Sequence, residues 1–232
     1  NSEGIKFEKK EKLNDIIKSL PFNLTNAQNR ALSEVIQDMT SDNVMNRLVQ
    51  GDVGSGKTIV AVLVLALAVL NGYQGALMAP TEILARQHYI SLSETLSSFD
   101  IKVDLLVGSL TKKQKEKVLE RIKSHEVDIL IGTHALIEDN VEFDNLGIVV
   151  TDEQHRFGVR QRAKLSSKGN NPDILVMTAT PIPRTLALIL YGDLDISQIR
   201  TMPKGRKGIH TYKCSQGERN RVLNFVEKEM KA

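Results

Sequence analysis

R-L-V-Q-G-D-V-G-S-G-K-T-I-V-A-V-L-V-L-A-L-A-V-L, residues 47–70, is the stretch whose reading decides the fold. Its centre, Gly51, Asp52, Val53, Gly54, Ser55, Gly56, Lys57 and Thr58, fits G-x-x-x-x-G-K-[ST] at every fixed position. Residues 47–50 make a short strand candidate, and residues 59–70 are an unbroken apolar run. Glycines at 51, 54 and 56 let the backbone turn tightly, so that successive N–H groups converge on an anion. The helix that follows points its positive end at the same anion. In such a cradle Lys57 reaches the β- and γ-phosphates of a nucleotide, and the Thr58 hydroxyl binds Mg²⁺. The competing reading is a glycine-rich turn with an incidental Lys-Thr. Chance produces the pattern in roughly one chain in a hundred of this length, and the strand before and helix after favour the cradle.

Working outward, further aliphatic strand candidates lie at 74–79, 102–107, 127–131, 147–151 and 173–177. Helical segments separate most of them: 25–38, 59–70, 82–96 and 111–124. Thr25, Thr81 and Thr111 stand as N-caps, and Thr25 with Gln28 has capping-box spacing. Strands alternating with helices predict an α/β fold, a mostly parallel doubly wound sheet with helices on both faces. Polar residues gather just after the strands, where open sheets of this kind place ligands. Residues 3–20 are charged, with Phe7, Leu13, Ile16, Ile17 and Leu20 spaced for one helical face, and predict a lead-in helix ended by Pro21.

Composition sets limits. Of 232 residues, 41% are apolar and 25% charged, as in an ordinary soluble domain. Trp is absent and aromatics are 4%, so the core is aliphatic. The single cysteine, Cys214, allows no disulfide framework and fits a reducing, cytoplasmic setting. The five histidines lack metal-site spacing. No apolar run approaches the ~20 residues of a membrane span. Net charge is only +3 but uneven: residues 112–123 carry six basic side chains, 156–168 five and 204–213 four. Such stripes permit contact with a phosphate backbone, and equally serve as solvated helix faces.

Asp152 and Glu153 follow the aliphatic strand 147–151. With a phosphate loop upstream, Asp152 can face the Mg²⁺ held by Thr58, and Glu153 can orient or deprotonate an attacking water. Adjacent acids at that place separate a nucleoside triphosphate hydrolase from a small-molecule kinase. No N-K-x-D base-recognition motif of a GTPase is present. Gln28 has two readings of similar weight: partner of Thr25 in a capping box, or an amide that pairs with an adenine edge beside Phe22.

This constellation resembles the superfamily 2 helicases and translocases. Asp152, Glu153, Gln154 and His155 match their D-E-x-H box, and Thr178, Ala179 and Thr180 match the motif that couples hydrolysis to domain motion. Pro80 and Thr81, with Arg86 on the next turn, resemble a first DNA-contact motif. Gly132, Thr133 and His134 resemble a second, and Phe22 with Gln28 a nucleotide-binding entry motif, which favours the adenine role without excluding the cap. Within the superfamily the longer runs D-E-Q-H-R-F-G-V, M-A-P-T-E-I-L-A and T-A-T-P-I-P-R-T look like the bacterial branched-DNA helicases. Transcription-repair coupling translocases are similar in the last run but usually have Glu at position 154.

The resemblance implies a RecA-like P-loop NTPase domain using ATP and Mg²⁺, with double-stranded and branched DNA as partner and no membrane. It places a lead-in at 1–20, the first motor domain at 21–203, and at 204–232 a linker with the opening strand and helix of a second motor domain. The family's wedge domain, second motor domain and arginine finger are not matched in these residues. The expectation is therefore weak ATP binding, negligible hydrolysis and weak, salt-dependent DNA binding by this stretch alone. A nucleotide-gated DNA-binding module without catalysis is the alternative from another class.

Overall fold

The computed structural model describes residues 4–152, 159–180, 194–200 and 216–230, with backbone alone at 159–162, 216 and 228–230. Threonine caps set three of the helix starts. Thr25 accepts from the N–H of Gln28 and begins α2 (Asn26–Met39), following α1 (Glu11–Ser19). Thr81 accepts from Leu84 and begins α4 (Glu82–Leu96), and Thr111 accepts from Gln114 and begins α5 (Lys112–Lys123). Between them α3 (Lys57–Leu70) starts at Gly56 with no side-chain cap at all. A capping hydroxyl satisfies one of the orphan N–H groups of a first turn, typically for about 1 kcal/mol. At α3 that service is left to something else.

The strands are β1 (Asn46–Gly51), β2 (Gln74–Met78), β3 (Val103–Leu106), β4 (Ile129–Gly132), β5 (Leu146–Thr151), β6 (Asp173–Thr178) and β7 (Asp195–Ile199). They form one sheet in the order β3-β4-β2-β5-β6-β1-β7, and every pairing is parallel. Because the strands share one direction, the residues after β1, β2, β4, β5 and β6 all emerge at the same edge.

Alternate residues divide the core in two. Val49, Leu77, Ile131, Val150 and Leu175 face α1, α2, α3 and α4. Ala76, Met78, Leu130 and Val149 face α5, the 3₁₀ turn His134–Ile137, and Leu165 of α6 (Val159–Ser166). Nine consecutive residues of α3, 60–68, are buried, so this helix is enclosed on all sides. Full burial is worth roughly 1.5–3 kcal/mol for each Val or Leu.

The six strand candidates between residues 47 and 177 are present, their ends shifted by at most two residues. Three features differ from expectation. The lead-in helix begins only at Glu11: the N–H of Phe7 donates to the Met39 carbonyl (3.0 Å), so this stretch is extended, and Phe7 is buried edge-on against Tyr73. Strand β7 and helix α6 were not anticipated. The inner face of β7 carries a polar Ser197, held in a cluster with Arg47, Glu34 and Asp38. The linker and opening strand expected within 204–232 lie outside the described residues. The helix after them, α7 (Arg219–Met230), is present, with Val222, Leu223, Phe225 and Val226 exposed. Among the described residues no helix is long and apolar enough to cross a membrane.

Candidate nucleotide site

The loop from β1 into α3 turns on two glycines in the left-handed region, Gly54 (φ 78°) and Gly56 (φ 84°). A Cβ on Gly56 would also lie 2.0 Å from Gln28 Nε2. The Lys57 ammonium folds back over the loop and donates to the carbonyls of Gly51 (2.6 Å) and Asp52 (3.0 Å). It thus bridges the mouth of the cradle on acceptors that a phosphate oxygen can replace. Ser55 is buried, and its Oγ has no hydrogen-bond partner. Asp52, Val53 and Gly54 are exposed, and Thr58 is half-buried on the first turn of α3.

Of the two readings given to Gln28, the structure shows the cap. Its Oε1 accepts from Thr25 N–H (2.8 Å), completing the capping box, and its Nε2 donates to the Ser55 carbonyl (2.9 Å). A primary amide offers two N–H groups and two lone pairs, so one of each is still available. Gln28, Phe22, Gly56 and Thr58 line one pocket of about 1000 Å³ beside the phosphate loop. Phe22 is half exposed there.

Asp152 follows β5 at the same sheet edge, two strands from β1. It is nearly buried, and its Oδ2 lies 2.7 Å from Nε2 of His88 on α4, a contact not foreseen from sequence. Periodicity does mark the position: Ala85, His88, Leu92 and Leu96 form the inner stripe of α4. Glu153, Gln154 and His155 lie outside the described residues. Between Asp152 and the loop, β6 ends at Thr178 and the chain runs on through Ala179 and Thr180. The Thr180 N–H donates to Thr178 Oγ1 (3.2 Å), and Gln50, just ahead of the loop, reaches toward the Thr180 carbonyl (3.5 Å).

The two candidate DNA-contact motifs come together on neighbouring strands. The Ala79 N–H, next to Pro80, donates to the Gly132 carbonyl (2.8 Å). The side chains are less free than their exposure to a ligand would require: Thr81 is engaged as a cap, Thr133 is buried, and Arg86 is held by Glu82 (2.8 Å) and Ser109 (3.0 Å). Ser109 and Arg86 hold the Glu82 carboxyl below its usual range. His134 opens the 3₁₀ turn that follows. The basic stripe on α5 is partly neutralised by Glu116, Asp104, Glu126 and Glu142. From the next stripe Lys168 turns inward to the carbonyls of Glu138 and Val141, and burial lowers its pKa.

A parallel sheet of this order, with a Gly-Lys-Thr loop feeding an uncapped central helix and an acid two strands away, is a RecA-like P-loop domain. The sequence pattern of the DEAD/DEAH box helicases matches residues 25–189, and the chain belongs to that family. It is 58% identical over 221 residues to the ATP-dependent DNA helicase RecG of Bacillus subtilis, covering 95% of this chain and 32% of that protein. The RecG of Aquifex aeolicus is 53% identical, with 98% and 30% covered. A structure of RecG bound to a three-way DNA junction superposes with a TM-score of 0.87 at 49% identity, over 98% of this chain and 31% of that one. The chain thus spans about a third of the length of these relatives.

Proposed function

We propose that this chain is the ATP-binding half of an ATP-dependent DNA helicase or translocase that remodels branched DNA, such as stalled forks and Holliday junctions, in repair and recombination. The observation that carries the reading is the continuity of the site: an uncapped helix N-terminus, a lysine over the loop mouth, and a pocket running on to Gln28 and Phe22. Unpartnered Ser55 Oγ and the two left-handed glycines fit a triphosphate cradle. Thr58 and Asp152 would hold Mg²⁺. When bound, that cation neutralises charge on the β- and γ-phosphates. Lys57 exchanges its carbonyl partners for phosphate oxygens, Gln28 and Phe22 take the base, and Glu153, with Gln154 and His155 beside it, orients water. Thr178, Ala179 and Thr180 pass the state of the site to a second motor domain. Pro80, Thr81, Arg86, Gly132, Thr133 and His134 border the DNA track.

Double-stranded and branched DNA is the partner, the setting is cytoplasmic, and residues 204–232 lead into the second motor domain, which with a wedge domain completes the machine in cis. An arginine finger supplied from elsewhere is worth about 10³–10⁵ in rate, so this stretch alone binds ATP and turns it over negligibly. The relatives compared are RecG helicases, which does not favour a transcription-repair coupling translocase. Titration of a fluorescent ATP analogue with Mg²⁺ tests the reading. Lys57→Ala should weaken binding by at least about tenfold, the ~1.5–3 kcal/mol of a charge-assisted hydrogen bond. Equal affinity in wild type and variant, or ATP-like affinity for GTP, would count against it.

A further inference from the structure

His88 and Asp152 belong to different elements and are 64 residues apart, yet their side chains meet at 2.7 Å in the interior. The main chain repeats the link: the Asp152 N–H donates to the carbonyl of Met78 (2.9 Å), the last residue of β2 before the turn into α4. Asp152 is therefore tied to the β2–α4 unit through both backbone and side chain. A carboxylate that holds a cation is ionised and accepts only, so the imidazole is the donor and carries its proton on Nε2. With Oδ2 occupied in this way, Oδ1 is left for the cation. Partners of this kind orient metal-holding groups and restrict their rotation.

We propose that His88 is a positioning residue for Asp152, and that through it helix α4, whose N-cap is Thr81 and whose early turns carry Arg86, is fixed to the cation-holding acid. The inference rests on the nucleotide-site reading above. Its rival is plain packing. His88 occupies the inner stripe of α4 with Ala85, Leu92 and Leu96, and a ring fills that space whether or not it donates. The two accounts differ in what a ring without a donor, or a donor without a ring, would do.

The test uses Mn²⁺ as the probe, followed by electron paramagnetic resonance on the 232-residue chain with a non-hydrolysable ATP analogue. His88→Phe keeps a ring and loses the donor. It should raise the Mn²⁺ dissociation constant by roughly 10–100-fold. Binding of the analogue in EDTA should not change. His88→Gln places an amide N–H within reach of Oδ2 and should restore Mn²⁺ affinity to within about threefold of wild type. Should His88→Phe fail to fold, His88→Gln against His88→Leu decides the same question. Wild-type Mn²⁺ affinity in His88→Phe overturns the proposal, as does a His88→Gln no better than His88→Leu. A wild-type chain that binds no analogue overturns the nucleotide-site reading as well. Mn²⁺ affinity that Lys57→Ala weakens but His88→Phe leaves at the wild-type value overturns this inference alone.

Discussion

Replacing Asp173 with asparagine should make the chain more stable, and increasingly so as pH rises. Asp173 opens β6 with no exposed surface. Its Oδ1 accepts the N–H of Met45 at 2.7 Å, while its Oδ2 has no partner. Burial pushes this carboxyl up to about 7; the Met45 N–H works against the shift, and the nearby Asp38 carboxylate adds to it. The folded-state value is thus raised above that of the unfolded chain, near 3.9. The stability tied to this group is fully present below about pH 4 and is lost as pH rises through 7. A difference of about three units at ~1.36 kcal/mol each amounts to about 4 kcal/mol, an order of magnitude for a domain whose whole stability is about 5–15 kcal/mol. The amide that replaces the carboxyl cannot ionise, and its carbonyl can still accept from Met45. The assay is urea denaturation followed by circular dichroism, since the chain has no Trp, in steps from about pH 4.5 to 8.5. The gap between variant and wild type should open by about 3 kcal/mol across that range, on top of any constant offset. The exposed carboxyls of Glu82, Asp139 and Glu142, held low by Ser109 and Arg86, by Lys164 and by Lys123, are common to both proteins and cancel. Parallel pH curves for the two proteins would refute the reasoning.

Two further perturbations address the joints around the site. Gln28→Ala removes half of the α2 capping box and the tie to Ser55, and should cost about 1–3 kcal/mol in urea denaturation without any nucleotide; an unchanged midpoint would mean that neither contact contributes. Arg47→Ala leaves Asp38, Glu34 and Ser197 without their shared cation, whose Nε–Oδ2 distance to Asp38 is 2.6 Å. About 3–5 kcal/mol should be lost, the usual cost of breaking one side of a buried pair. A loss below about 1 kcal/mol would show that solvent screens the cluster.

The architecture was legible wherever one physical rule acts alone. Fully buried parallel strands read as aliphatic runs, which is why β2, β4 and β5 stand out in the sequence. Thr25, Thr81 and Thr111 announce their helices because a cap is a local hydrogen bond. Strand β7 was hidden because its inner residue is Ser197, made tolerable only by Arg47 and Glu34 from elsewhere in the chain. Phe7 has helical spacing with Leu13 and Ile16, but it is drawn instead into an extended path by Met39 and Tyr73. In the site, the run from Gly51 to Thr58 could be read directly because the motif is contiguous. The bond between His88 and Asp152 could not, because it depends on two strands lying side by side.

The helix behind the phosphate loop has no wet side. From Val60 to Ala68 it is encased by the sheet on one flank and by its companion helices on the others. A rod held in this way cannot tilt without opening voids along its whole length, and close-packed interiors resist that. On the nucleotide-site reading proposed above, a change in the bound nucleotide would leave the site sideways, through the tips of β5 and β6 and the helix joined to Asp152, with the rod as a still fulcrum.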